Sequence, residues 1–158
     1  MPTYRRSSII DADFETVWEF YDTVDELPIL TPDWMGLRVP RVIGPDGQPD
    51  PDGYLVGTEI HLETRPLDLF TATEWVVEIV DREVSENRAS FVDEQVGDRG
   101  PFEAWRHTHR FVDLGDETLI HDRIEYRVPG GGERPLATPF LAGMLWYRHR
   151  RTRALLAD

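Results

Sequence analysis

Trp105, His107, His109 and Phe111 recur at every second position of the segment AWRHTHRF, and a pleated strand sets all four on one face. Gly115-Asp116 reads as a two-residue turn that places Leu114 opposite Glu117. In that register Phe111 faces Ile120, His109 faces Asp122, His107 faces Ile124 and Trp105 faces Tyr126. The outer face pairs Arg106 with Glu125 and Arg110 with His121. A slip of one residue would reverse every side chain. A face this apolar, carrying two imidazoles and a carboxylate, suits the wall of a ligand pocket: the rings and aliphatics supply contact, while His107, His109 and Asp122 anchor a polar end.

The same residues could do other chemistry. An imidazole oriented by Asp122 could move a proton, so His109 and Asp122 are the catalytic candidates. Nothing in the sequence positions an oxyanion hole or a nucleophile beside them. Two histidines plus a carboxylate also suit iron or zinc, with Asp122 as third donor and Glu103 on the same parity. Against this, successive same-face residues stand about 7 Å apart along a strand, and the positions opposite His107 are aliphatic. No metal site and no cofactor are therefore expected.

Elements must hold this hairpin in place. Thr3 to Ile10 reads as a strand. Asp13 is a helix N-cap before Phe14, Val17, Trp18 and Tyr21 at helical spacing, a helix running to about Val24. Asp25-Glu26-Leu27-Pro28 opens a second short helix or turn, and TPDW (31–34) an ordered loop. Leu37 to Ile43 is a second strand, and GPDGQPDPDG (44–53) a solvated loop. Tyr54 to Arg65, Thr71 to Glu83 and Asn87 to Val96 alternate as strands, and the hairpin follows. Gly97 to Pro101 reads as a tight turn closing one end of the sheet. The glycines at 130–132 form a joint, and Thr138 and Pro139 open a last helix to Leu156. The order predicts an α+β domain: a curved antiparallel sheet of about six to seven strands, two short helices after the first strand, and a long C-terminal helix across the concave face. Such a sheet and one helix leave a cavity between them. Trp34 suits a lid at its mouth or core packing, and Trp75 a core or pocket wall. Phe140, Leu141, Met144, Leu145 and Trp146 should face the sheet, with Gly143 giving close approach or room for a ligand. Arg148, Arg150, Arg151 and Arg153 suit the C-terminal pole of the helix.

Composition narrows the function classes. The chain has 158 residues, which fits one domain over 1–158. It has no cysteine, which excludes disulfides and thiolate chemistry. Its net charge is −13 and all 17 basic residues are arginine. An acidic surface repels nucleic acid and anionic lipid, and it suits a salt-rich, halophilic cytoplasm. Without a long apolar run or a signal segment, the expected location is cytoplasmic, with no membrane insertion. Monomer and homodimer are both open.

Several segments resemble the helix-grip superfamily of START, Bet v 1-like and SRPBCC domains. DADFETVWEFYDTVDELPILTP (11–32) resembles its paired helices after the first strand, and GTEIHLETR (57–65) its pocket-crossing strand. FVDEQVGDRGPFEAWRHTHRF (91–111), with DRIEYRVP (122–129), is similar to a polyketide cyclase/dehydrase-like ligand-binding subgroup with a GPF…W.H.H.F pattern. That subgroup also occurs fused to sugar-nucleotide epimerase-like domains. The resemblance implies a hydrophobic cavity for a lipid, an isoprenoid or quinone, or a polyketide-like aromatic. Binding or transport without bond-making is the first expectation. A cyclase or dehydratase using the His109–Asp122 pair is the second, and a protein-interaction module of the chaperone-activator kind the third. The superfamily offers no catalytic motif that transfers residue by residue.

Overall fold

The computed structural model describes residues 2–23, 25–49, 51, 53–65, 67, 72–130 and 137–157. Seven strands form one antiparallel sheet: β1 (Thr3–Ile10), β2 (Arg38–Ile43), β3 (Glu59–Thr64), β4 (Thr73–Val84), β5 (Arg88–Gln95), β6 (Ala104–Asp113) and β7 (Thr118–Arg127). Their spatial order is β1-β7-β6-β5-β4-β3-β2, a meander whose last strand returns beside the first. Two short helices, α1 (Phe14–Tyr21) and α2 (Glu26–Ile29), follow β1, a 3-10 turn spans Asp33–Met35, and α3 (Ala137–Leu156) ends the chain. The α+β helix-grip architecture is the one expected. Among the described residues no helix is long and apolar enough to cross a membrane.

The register of the last hairpin matches the expected one at every pair, from Trp105 opposite Tyr126 to Phe111 opposite Ile120. Its turn closes with Leu114 N–H donating to the Glu117 carbonyl at 2.9 Å. On the outer face Arg106 stands opposite Glu125, but its guanidinium pairs with Glu94 of β5. A register shift between Ile79 and Asp81 of β4 marks a bulge, which bends and twists a sheet locally.

Boundaries differ where a side chain competes for the backbone. Asp13 caps α1 as expected, accepting from Thr16 N–H at 2.8 Å. The helix stops at Tyr21 because Asp22 is drawn away: its carboxylate accepts two hydrogen bonds from Arg82, at 2.7 and 2.8 Å, and one from Tyr54 N–H. Val24 lies outside the described residues, as do Thr71 and the glycines at 131 and 132. The strand expected from Tyr54 starts only at Glu59, after Gly57 turns the chain at φ 95°. Thr138 lies inside α3, and its hydroxyl sits 2.5 Å from that of Tyr126, tying the start of the helix to β7.

α3 lies against the inward face of the sheet through Leu141, Leu145, Arg148, His149 and Thr152, spaced one and two turns apart and all buried. Of the residues expected to face the sheet, Leu141 and Leu145 are buried and Met144 packs against the core, and only two turn away. Phe140 and Trp146 are exposed, Trp146 lying under the Arg150 guanidinium, and Gly143 faces open space. α1 packs its Trp18 and Tyr21 rings on Phe111, at centroid distances of 5.4 and 4.8 Å.

Candidate functional site

The inward face of β5, β6 and β7 carries a buried polar chain built by strand alternation. Asp93 of β5 lies opposite His107 of β6, and Phe91 opposite His109. Trp105 Nε1–H donates to Asp93 Oδ1 at 2.9 Å, and His109 Nε2 meets Asp93 Oδ2 at 2.8 Å. On the other strand, His107 Nε2 donates to Asp122 Oδ1 at 2.7 Å, and His149 of α3 donates to Asp122 Oδ2 at 2.5 Å. His149 Nδ1 is 2.7 Å from the Ser8 hydroxyl on β1. His109 Nδ1 lies 3.3 Å from Asp122 Oδ1 without the alignment of a hydrogen bond. The His109 ring is held between two others: Phe91 at 4.1 Å and His107 at 3.7 Å between centroids. The two imidazoles thus lean together well inside the spacing of their backbone positions, which the strand-repeat argument against close donors overlooked.

A second buried group joins α2 to α3. Glu26 accepts from the Tyr54 hydroxyl at 2.9 Å and faces Arg148 Nη2 at 3.3 Å. Arg148 is 7% exposed, so it belongs to this pair and not to the solvated pole of the helix. Its head supplies the positive charge opposite the Glu26 carboxylate, which is itself 2% exposed.

The carboxylates and imidazoles shift one another. Burial raises the Asp122 carboxyl, but the three imidazoles around it outweigh that and hold it well below its ordinary value. Asp93 is likewise lowered, burial being outweighed by His109, His107 and Trp105. Burial lowers the His109 imidazole, yet the carboxylates on both sides of it win and raise it to about 9. His107 is lowered, by burial first and by His109 second, despite Asp122. Glu26 is raised because burial exceeds the help from Arg148 and Tyr54.

Beside these groups the interior keeps a cavity of about 100 Å³. Ile60, Leu62, Trp75, Val77 and Ile79 form its sheet wall, and Leu27, Met35 and Leu37 close it from the α2–β2 segment. Asp93, His107, His109, Glu26, Tyr54 and Arg148 all reach its lining. Of the residues singled out from sequence, Trp75, Trp105, His107, His109 and Met144 line this space. The others lie elsewhere. Trp34 is 51% exposed and its neighbour Met35 takes the inward place. Phe111, Ile120 and Ile124 are packed in the core, and Tyr126 is held by Thr138. Asp122 stands behind the imidazoles and orients them.

Asp93, Glu26, Tyr54, Arg148 and His149 were missed from sequence. Asp93 shares the parity of Phe91, and His149 follows Leu141 and Leu145 at four-residue steps, so each carried a signal. The GPF turn has a packing reason. A Cβ on Gly100 would meet Gln95 Oε1 at 2.2 Å and Trp75 Cδ1 at 2.4 Å. Phe102 then stacks among Trp75 and Trp105, at 5.7 and 4.8 Å, which fixes that end of the cavity wall.

Residues 10–145 match the family model described as polyketide cyclase / dehydrase and lipid transport. No curated protein matches the chain. Among solved structures it is similar to a nucleoside-diphosphate sugar epimerase from Corynebacterium glutamicum, at 22% identity and TM-score 0.66, over 96% of this chain but 28% of that one. A START superfamily protein from Mycobacterium smegmatis aligns at 12% identity and TM-score 0.64, covering 98% of this chain and 96% of that one. Norcoclaurine synthase from Thalictrum flavum, solved with dopamine and hydroxybenzaldehyde, aligns at 19% identity and TM-score 0.60, over 98% and 85% of the two chains. At these identities the structural likeness speaks for the fold alone.

Proposed function

Because the chain belongs to the polyketide cyclase/dehydrase and lipid transport family, we propose that it binds a small amphipathic molecule, about one ring in size, between the sheet and α3. The carrying observation is the cavity: apolar walls that lead to a few convergent, individually bonded polar groups. Its size selects among ligands. A dry apolar cavity of about 150 Å³ holds benzene, so about 100 Å³ favours a small ring over a long isoprenoid or acyl chain. The polar end would meet Asp93, His107 or His109, or else the Glu26–Tyr54 pair. Phenol is a suitable probe. Calorimetry should detect its binding to the native chain, and Val77→Phe, which fills the cavity from the sheet wall, should abolish it while the fold persists. Undiminished phenol binding in Val77→Phe would refute the assignment, as would no binding to the native chain.

Proton-transfer catalysis is the second reading, and one observation favours it. Glu26 lines the cavity with a carboxyl raised by burial, the property of a general acid. This moves the candidate from the His109–Asp122 pair to Glu26. A Glu26→Gln variant that binds ligand normally but loses turnover would support it; equal turnover in both proteins would remove it.

A further inference from the structure

We propose that Asp93, His107 and His109 form a binding site for one borderline divalent cation of the first transition row, such as zinc. The argument begins with the atoms already committed to orientation. Asp93 Oδ1 is held by the Trp105 indole N–H, which turns Oδ2 toward the imidazoles, where it meets His109 Nε2. His107 gives its Nε2–H to Asp122, which leaves Nδ1 as a donor atom. His109 has Nδ1 beside the same Asp122 oxygen, at 3.3 Å, and presents Nε2 to Asp93. Three ligand atoms remain, one from each residue, and all lie within 4.8 Å of one another.

Two of the three edges, those from Asp93, need only small adjustment. Asp93 Oδ2 is 2.8 Å from His109 Nε2 and 4.0 Å from His107 Nδ1. Ligand atoms around a tetrahedral zinc with bonds of about 2.0–2.1 Å stand roughly 3.3 Å apart. One edge must open and the other close by a similar amount, which a turn of the Asp93 carboxylate supplies.

The surroundings are those of a metal centre. Histidine ligands hand their second ring nitrogen to a carboxylate, which sets tautomer and ring orientation. Here Asp122 accepts from His107 and stands beside His109 Nδ1, and His149 holds its other oxygen. Phe91 covers the outer face of His109, at 4.1 Å. Two imidazoles and one carboxylate suit zinc or ferrous iron better than the hard cations calcium and magnesium. All three ligands also line the cavity, so a fourth position faces the space where a ligand oxygen could complete the shell. The site goes beyond the ligand-binding reading and stands without it, since cation binding is read on the protein alone.

Cobalt(II) titration of the full chain tests it, in 1 M NaCl so that the carboxylates of a surface at net charge −13 are screened. One equivalent should bind with visible ligand-field absorption, and zinc but not calcium should displace it. Asp93→Asn and His107→Gln should each weaken binding at least about 100-fold, and Asp122→Asn about 10–100-fold, whereas His121→Ala should leave it unchanged. Should those variants fold poorly, imidazole nitrogen NMR of the native chain decides. Zinc should move His107 Nδ1 and His109 Nε2 while His61 and His121 stay in place. Absence of the absorption at millimolar cobalt, equal affinity in His107→Gln, or shifts confined to His61 and His121 would each overturn the site.

Discussion

His149 and Asp122 meet at 2.5 Å, and with that contact the last helix is fastened to the last strand through a buried hydrogen bond. Both side chains are almost wholly enclosed, at 1% and 6% exposure. The carboxylate accepts from two imidazoles and has a third, His109, 3.3 Å away, so its charge organises the middle of the domain. Asp122→Asn keeps the shape and removes the charge. It should cost about 3–5 kcal/mol, the usual penalty for stripping one partner from a buried charged group. Urea denaturation measures this, and a double-mutant cycle with His149→Gln should return a coupling of about 0.5–3 kcal/mol. A coupling near zero would mean that His149 is held by packing alone.

Glu26 and Arg148 make the second fastening, between α2 and α3, and their behaviour should be asymmetric. Arg148→Met leaves Glu26 with the Tyr54 hydroxyl alone and should cost about 3–5 kcal/mol. Adding Glu26→Gln removes the stranded charge and should restore most of the loss, because two neutral groups no longer need each other. Thermal unfolding of the single and double variants checks the order. If the double variant is less stable than Arg148→Met, Glu26 stabilises the fold through Tyr54 even without the arginine.

Much of this was legible in the sequence, and the limits have a physical pattern. Period-two alternation and a Gly-Asp turn carry the whole register of the β6–β7 hairpin, because both are local. Asp13, followed by Phe14, Val17, Trp18 and Tyr21, likewise marks α1 from neighbouring residues. Contacts between distant elements were not legible. Asp93 stands beside Glu94 and reads as solvated charge until the register of β5 on β6 is known, and the Gly-Pro turn between them hides that register. Arg148 and His149 sit in the run RHRRTR, which reads as a basic helix end. Only the docking angle of α3 decides that these two turn inward while Arg150, Arg151 and Arg153 stay in water. The same angle turns Phe140 and Trp146 outward, against their hydrophobicity.

The Gly100-Pro101-Phe102 turn gives a test of the cavity wall. An added methyl at Gly100 has no free space against Gln95 and the Trp75 edge. Gln95 also holds the turn, donating to the Gly97 and Phe102 carbonyls and accepting from Phe102 N–H. Gly100→Ala must therefore displace either the glutamine clamp or the indole. The expected cost is about 1–3 kcal/mol, the range for overpacking, with a shift in tryptophan emission as Trp75 moves. Unchanged emission together with unchanged stability would show that the turn relaxes outward instead.

Stability should also respond to pH through His109, measured with a chelator present so that the cluster carries protons only. Its folded value is raised to about 9 from an ordinary 6.5. A raised imidazole binds its proton more tightly in the folded chain, so its contribution is complete below pH 6.5 and is lost as pH climbs through 9. The full difference is on the order of 3 kcal/mol. His107 and His121 are shifted the other way, downward, so above 6.5 both are neutral in folded and unfolded chains alike and add no slope. Asp93 and Asp122 are lowered, and their contributions are likewise constant there, fading only as acid protonates them below 3.8. Urea midpoints should accordingly fall between pH 6.5 and 9. His109→Gln should flatten that slope, since an amide has no proton to lose; a slope that persists in this variant would place the titrating group elsewhere.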